Sequence, residues 1–420
     1  MGAARMEIGP AVVVATSEPD ETRWGYYQFP FLWREPDGRL AVSVQVRPDD
    51  DRWLHEPSPA WVSDDGGAHW SPAPRVMRPS FLTLSSGDQI SRDAAVFPLA
   101  EVELPPPAGA FHNTYGLDST LYRWSELKPD LAARCFPLYR RRSGSAEWEP
   151  IPTTVEDAGV LCEALDSGIF VPFGDWCSEF HEAPDGALLY LGYRVRLTDA
   201  GAPDRYMGPW LLRSTDAGRS WRFHGCIRYE PALAGPDRLG LTEPTMALTG
   251  GGRSVCAMRT TDGIGPGPLV QSESADLGRS WTQPHAIADH GVRPRLLRLD
   301  CGVLALSCGR PDVCLRLSAD AGRSWGEPAV LVEPAPGDLA GATCGYTDLL
   351  ADGPDRFLIA YTDFRHRDSR GRRRKAVVVR RVQTFVSRPD GTAMRNLAAR
   401  WENRDDALCR ERGILPDQGP

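Results

Sequence analysis

The chain has no run of about 18 consecutive apolar residues, so no membrane-spanning helix is expected. Its first residues, MGAARMEIGPAVVVATSEPD, carry one arginine and a short apolar patch broken by glutamate and proline, a poor secretory leader. Positive charge is not in excess: 48 Lys and Arg stand against 56 Asp and Glu, a formal charge of -8. That balance excludes a nucleic-acid binder working through a basic face. The one basic stretch, RHRDSRGRRRK (365–375), is short and interrupted, and reads as a solvated hairpin loop. The ten cysteines include no Cys-x-x-Cys pair and keep no regular spacing to histidine, so no zinc centre is expected. Several lie in apolar stretches such as SVCAM and DVCLRL, where a reduced thiol acts as a small hydrophobe, and a reducing cytoplasm fits that usage. GGGRS (250–254) lacks the Lys-Ser/Thr ending of a phosphate loop, and no clustered Asp/Asn loop suggests calcium. No metal and no cofactor are expected.

What the chain does have is a repeat. STDAGRSW (214–221), SADLGRSW (274–281), SADAGRSW (318–325) and SDDGGAHW (63–70) all fit Ser-x-Asp-x-Gly-x-x-Trp. An Asp carboxylate in a tight turn accepts nearby backbone N–H groups, Gly allows the reversal, and Trp packs beneath. The boxes are therefore scaffold, and Asp216, Asp276 and Asp320 are not expected to be catalytic. A second unit recurs upstream of each box: two apolar strands around a turn with Gly38, Gly186, Gly252, Gly302 or Gly353. The first gap, Gly38 to Gly186, is about twice the others and should hide one more unit at about residues 80–165, where LYRRRSGSAEWEP looks like a decayed box. At 420 residues the chain would ordinarily split into two or three domains, but a repeat allows a single stack. The pattern predicts an all-β, six-bladed propeller of four-stranded antiparallel blades over residues 1–390, ring closure by PAVVVATSE, and a helical tail over 391–420.

The octapeptide is the Asp-box, and the chain resembles the sialidase superfamily of bacterial neuraminidase repeats over almost its whole length. The resemblance implies a tyrosine nucleophile, a glutamate that activates it, an aspartate acid/base and three arginines that clamp a substrate carboxylate. Tyr346, in CGYTDLLADGPDRFLIAYTDF, is in the nucleophile's place; Glu243 and Arg259, in EPTMALTGGGRSVCAMRTT, match the glutamate and the second arginine; Arg310, ending LALSCGR, matches the third. In QVRPDDDRW, Asp50 or Asp51 is the expected acid. The chain departs from the pattern at YYQFPFL, where Gln28 replaces the first arginine; Arg34 or Arg47 would have to compensate, and the brace expected at Asp363 loses its partner.

The chemistry suits the residues. An Asp or Glu nucleophile would be repelled by a carboxylate beside the anomeric carbon, so a neutral tyrosine is used, with an adjacent base because phenol is weakly nucleophilic. The expected activity is an exo-glycoside hydrolase removing a terminal acidic sugar with retention, its partner a glycan. Two alternatives stay open: a propeller glycosidase or polysaccharide lyase for another sugar, the lyase with a base among His112, Tyr115, His181 and His224, and a glycan-binding propeller without turnover.

Overall fold

The computed structural model describes residues 4–50, 56–74, 77–79, 81–112, 118–156, 159–173 and 177–386. The expected C-terminal helix, Asp51 and Tyr115 lie outside them. The described chain is all-β, its one α-helix being the single turn Pro129–Ala132.

Seven sheets form. The first runs in chain order through Tyr26–Arg34, Leu40–Val46, Ala60–Ser63 and Ser71–Pro72. The second uses Leu82–Thr83, Gln89–Arg92, Leu138–Arg141 and Trp148–Ile151. The third uses Glu179–Glu182, Leu188–Arg194, Gly208–Ser214 and Ser220–Cys226, with Thr154–Val155 added parallel at its edge. The fourth is Thr242–Gly250, Arg253–Arg259, Leu269–Ser274 and His285–Ala288, and the fifth Val292–Arg298, Leu304–Gly309, Val313–Ser318 and Ala329–Val332. The sixth joins Asp348–Ala351, Arg356–Arg367 and Arg373–Val386, and the N-terminal strands Ala4–Ile8 and Val12–Thr16 both pair with Arg373–Val386.

The region expected to hold one decayed unit holds more. The second sheet is interrupted after Arg92, and Phe97–Pro98, Gly109–Phe111, Ser119–Arg123, Leu161–Leu165 and Ile169–Val171 build a separate five-stranded sheet. Its strands are two to five residues long, too short for alternation to stand out.

All five hairpin glycines take positive φ, between 74° and 138°. Each box joins the third strand of its sheet to the fourth. In the third sheet Asp216 Oδ1 accepts from Ser214 Oγ (2.8 Å) and the Ser220 amide (2.8 Å), and Trp221 Nε1 donates to Gly218 O (2.9 Å). Burial works against the Asp216 carboxylate, but the Ser220 and Ser214 donors hold it at about 2.

Both faces of most sheets are covered, so the inner hairpins read as continuous rather than alternating apolar runs. Apolar seams join first to sixth sheet (Val42, Leu358), sixth to fifth (Phe357, Leu315), fifth to fourth (Leu306, Ala257), fourth to third (Met258, Leu211) and third to second (Tyr190, Leu138). The seam between first and second is polar: buried Arg141 pairs with Glu35 (2.9 Å), and Gln89 Nε2 donates to Arg34 O (3.1 Å).

The first strands of the six sheets other than the 97–171 sheet are linked in turn through side chains. The Leu32 amide donates to Asp348 Oδ2 (2.8 Å), Arg295 is clasped by Asp348 and Glu179, the Leu296 amide donates to Thr245 Oγ1 (3.0 Å), and the Met246 amide to Glu179 Oε2 (3.0 Å). The Ser85 amide donates to Glu182 (2.6 Å), and Phe81 stacks between Phe31 and Phe180, which closes the circle. A buried charge with partners on both sides ties neighbouring strands together, whereas one left alone would cost several kcal/mol, on the order of 3–5.

Candidate functional site

Within or just before four of the six inner strands a non-glycine residue takes a backbone conformation that such residues avoid. Phe29 (φ 55°), Cys177 (62°), Glu243 (47°) and Arg293 (43°) are all left-handed, as is Arg310 (53°) at the end of the fifth sheet's inner hairpin, and Gly345 (81°) precedes Tyr346. Such residues cost about 1–3 kcal/mol each and persist only where the surroundings over-determine them. Here Phe29, Glu243 and Arg293 meet Tyr346 or one another.

Tyr346 Oη donates to Glu243 Oε1, a contact between residues 103 apart in sequence. Arg259 Nη1 pairs with the same oxygen (2.6 Å), and the Arg293 amide donates to Glu243 Oε2 (2.7 Å). Arg259 is further fixed by the Thr261 carbonyl. Burial works against the Glu243 carboxylate, but Arg259, the Tyr346 hydroxyl and Arg310 hold its pKa below the ordinary range. Burial and the negative Glu243 raise the Tyr346 phenol well above its usual value. At neutral pH the pair is therefore a carboxylate accepting from a neutral phenol.

The rim is aromatic and charged. Phe29 packs edge-on against Tyr346 (4.7 Å between centroids), and Trp24 lies 6.0 Å from Phe29 with 38% of its surface exposed. Arg310 stacks over Trp24 (5.2 Å) and donates to Cys344 O (2.8 Å), two residues from Tyr346. Trp24 Nε1 donates to Asp49 Oδ2 (2.8 Å). Although Asp49 presents surface to solvent, the crowding around its carboxyl raises its pKa, against the Trp24 bond and the charge of Arg310 and reinforced by Glu243.

Of the residues expected from sequence, Tyr346, Glu243, Arg259 and Arg310 come together. Gln28 is fully buried beside Phe29, and neither amide atom meets a hydrogen-bond partner among the described residues. Arg47 donates instead to the carbonyls of Glu56 (2.6 Å) and Pro57 (3.1 Å). It lines a cavity of about 660 Å³ in the polar seam, with Arg78, Arg92, Arg141, Trp148 and Ser178; neither Tyr346 nor Glu243 borders that cavity. Arg34 pairs with Asp352 (2.8 Å), and Asp363 accepts from the Arg365 amide (2.8 Å). Asp50 is half-buried, and the aspartate whose carboxyl senses Arg310 and Glu243 is Asp49. His181 lies 3.3 Å from Glu179 in the central belt, and exposed His112 pairs with Asp118 (2.9 Å).

Sequence reasoning missed Asp49, Trp24, Phe29 and Arg293. Asp49 was visible as the first of three aspartates; the others carried no sequence signal. Among the described residues no group of three metal-ligating side chains occurs, and no helix is long and apolar enough to cross a membrane.

Residues 181–359 match the family described as a BNR repeat-like domain. No curated protein matches the chain. Among solved structures, a Dyadobacter fermentans protein described as of unknown function superposes with a TM-score of 0.61 at 17% identity, over 90% of this chain and 99% of its own. NanB sialidase of Streptococcus pneumoniae gives 0.51 at 12% identity, over 88% and 70%. An α-L-arabinanase of Penicillium chrysogenum gives 0.48 at 15%, over 89% and 98%. The box turns set on one repeated hairpin plan and this match identify residues 181–359 as a BNR repeat-like domain, and the solved structures share its fold.

Proposed function

We propose that the chain is a retaining exo-glycoside hydrolase of the sialidase type, built on a propeller in which the six ring-forming sheets are blades and the 97–171 sheet is an insertion. The observation that carries the reading is the hydrogen bond from Tyr346 Oη to ionised Glu243. Tyr346 attacks the anomeric carbon and passes its proton to Glu243, while Asp49 protonates the departing glycosidic oxygen. Water then enters: Asp49, now a carboxylate, takes its proton, the hydroxide displaces the tyrosyl oxygen, and Glu243 returns the stored proton to Tyr346. Two groups pushed apart in pKa, Glu243 downward and Asp49 upward, are what a base and an acid at one pH require. Exposed Trp24 offers an apolar face for a sugar ring at the rim.

The test is hydrolysis of a panel of fluorogenic α-linked glycosides, acidic and neutral, with the product anomer followed by NMR. Release of the retained anomer by the wild type and its collapse in Tyr346→Phe is expected. Turnover of neutral glycosides alone would favour the second reading, raised by Gln28 standing where the resemblance calls for an arginine, of a propeller glycosidase for an uncharged sugar. An inverted product, or full activity in Tyr346→Phe, would overturn the tyrosyl mechanism.

A further inference from the structure

Two thiols of the fifth sheet face one another. Cys308 and Cys314 are directly opposite in the antiparallel pairing of Leu304–Gly309 with Val313–Ser318, and their sulfurs stand 3.4 Å apart. Both are buried, and both are free thiols. Opposed residues of an antiparallel pair keep their Cβ atoms about 4.5–5.5 Å apart. A small approach therefore reaches the Cβ spacing of about 3.5–4.5 Å that a disulfide requires.

The two sulfurs are not equivalent. A bond from the Cys308 thiol holds the Cys314 thiol below its ordinary pKa, against burial and Asp312 and with help from Arg316 and His290, while the Cys308 thiol is raised in turn. Cys314 is also the more exposed of the two, 5% against 2%. The thiolate is the reactive form, so Cys314 is the sulfur that attacks first. The residues between the two cysteines form the turn that carries Arg310. Gly309 lies so close to the Gly345 backbone that a side chain on it would collide, and a side chain on Gly345 would collide with Arg310. The Arg310 amide donates to Asp312 O (2.7 Å), and its guanidinium donates to Cys344 O (2.8 Å). The dithiol thus closes the base of a turn wedged against the residues that precede Tyr346.

We propose that Cys308 and Cys314 are a redox modification site, which hydrogen peroxide converts to an intramolecular disulfide that locks the Arg310 turn against Gly345 and Tyr346. The Cys314 thiolate attacks one peroxide oxygen: an S–O bond forms, the O–O bond breaks, and the departing hydroxide takes up the thiol proton as water. Cys308 then attacks the Cys314 sulfenic acid: the S–S bond forms, the S–O bond breaks, and hydroxide leaves with the Cys308 proton as a second water. Two electrons pass from the sulfurs to the peroxide. A small dithiol reverses the change by thiol–disulfide exchange.

The full chain is treated with hydrogen peroxide, quenched with catalase, alkylated under denaturing conditions, digested with trypsin and read by mass spectrometry. The tryptic peptide 299–316 holds Cys301, Cys308 and Cys314. After oxidation it should be alkylated at Cys301 alone and be lighter by two hydrogens, and dithiothreitol before alkylation should restore all three thiols. In Cys308→Ala, dimedone should trap a sulfenic acid on Cys314, whereas Cys314→Ala should leave Cys308 a thiol. Hydrogen exchange of the oxidised wild type should slow by roughly tenfold at residues 309–313 and 343–346, because the bond opposes opening of the turn. Three alkylated cysteines after oxidation, or a bond to Cys301, would overturn the proposal. The reverse dimedone pattern would overturn Cys314 as the attacking sulfur, and a disulfide with unchanged exchange at 343–346 would overturn its link to Tyr346. If the alanine variants melt early, the wild-type peptide and its exchange decide. No turnover is read, so failure of the tyrosyl mechanism leaves this result standing, and the converse also holds.

Discussion

Replacing Glu179 by glutamine should loosen the centre of the ring by an amount the structure lets one work out. Glu179 is buried, accepts from the Met246 amide (3.0 Å) and Thr245 Oγ1 (3.2 Å), and clasps Arg295 together with Asp348. Burial alone would raise its pKa, but Arg295, then His181, bring it from 4.5 down to about 2. A drop of that size corresponds to about 3 kcal/mol of folding free energy, and it matches the low end of the roughly 3–5 kcal/mol lost when one partner of a buried pair is removed. Because the folded-state pKa lies below the unfolded one, the contribution is complete above about 4.5 and disappears as pH falls through about 2. Glutamine keeps an acceptor for Met246 and Thr245 and loses the charge facing Arg295. Equilibrium unfolding in urea should therefore show Glu179→Gln less stable than wild type by about 3 kcal/mol at pH 7, with the two converging as pH approaches 2. Equal stability at pH 7, or a gap that ignores pH, would refute the reasoning.

Two further outcomes follow from the site and its scaffold. Asp49→Asn should remove the alkaline limb of the kcat/KM profile, since an acid with a raised pKa loses its proton as pH rises; it should slow substrates with poor leaving groups by about 10²–10⁴ and spare activated aryl glycosides. If Asp50→Asn does this instead, the acid is misassigned. Asp216→Ala removes the acceptor for Ser214, the Ser220 amide and the Ser220 hydroxyl, so thermal melting should show a loss of about 1–2 kcal/mol with kcat unchanged at permissive temperature. A large fall in kcat there would contradict the purely structural role of the boxes.

The hairpins and boxes were legible because they are local: a turn glycine, a Ser-Asp pair and a Trp within eight residues contain the whole instruction. The pairing of Tyr346 with Glu243 was legible only through the resemblance, since 103 residues separate them. The sequence reading named Asp50 or Asp51 rather than the acid proposed here, Asp49, because what sets Asp49 apart is the Trp24 indole 25 residues away. Arg293 reads in VRPRLL as an ordinary strand residue; its left-handed kink and its bond to Glu243 arise from tertiary packing. The central belt was invisible for a related reason: Glu179, Arg295 and Asp348 sit on three strands far apart in sequence, and each alone looks like a surface charge.

The proposed mechanism turns on a covalent bond between Tyr346 and the sugar. The most direct measurement is incubation with a fluorinated acidic glycoside that slows release of the intermediate, followed by intact and peptide mass spectrometry. One sugar adduct is expected on the peptide carrying Tyr346, formed by the wild type and absent from Tyr346→Phe. Turnover of the unfluorinated glycoside with no adduct, or an adduct on another side chain, would contradict it.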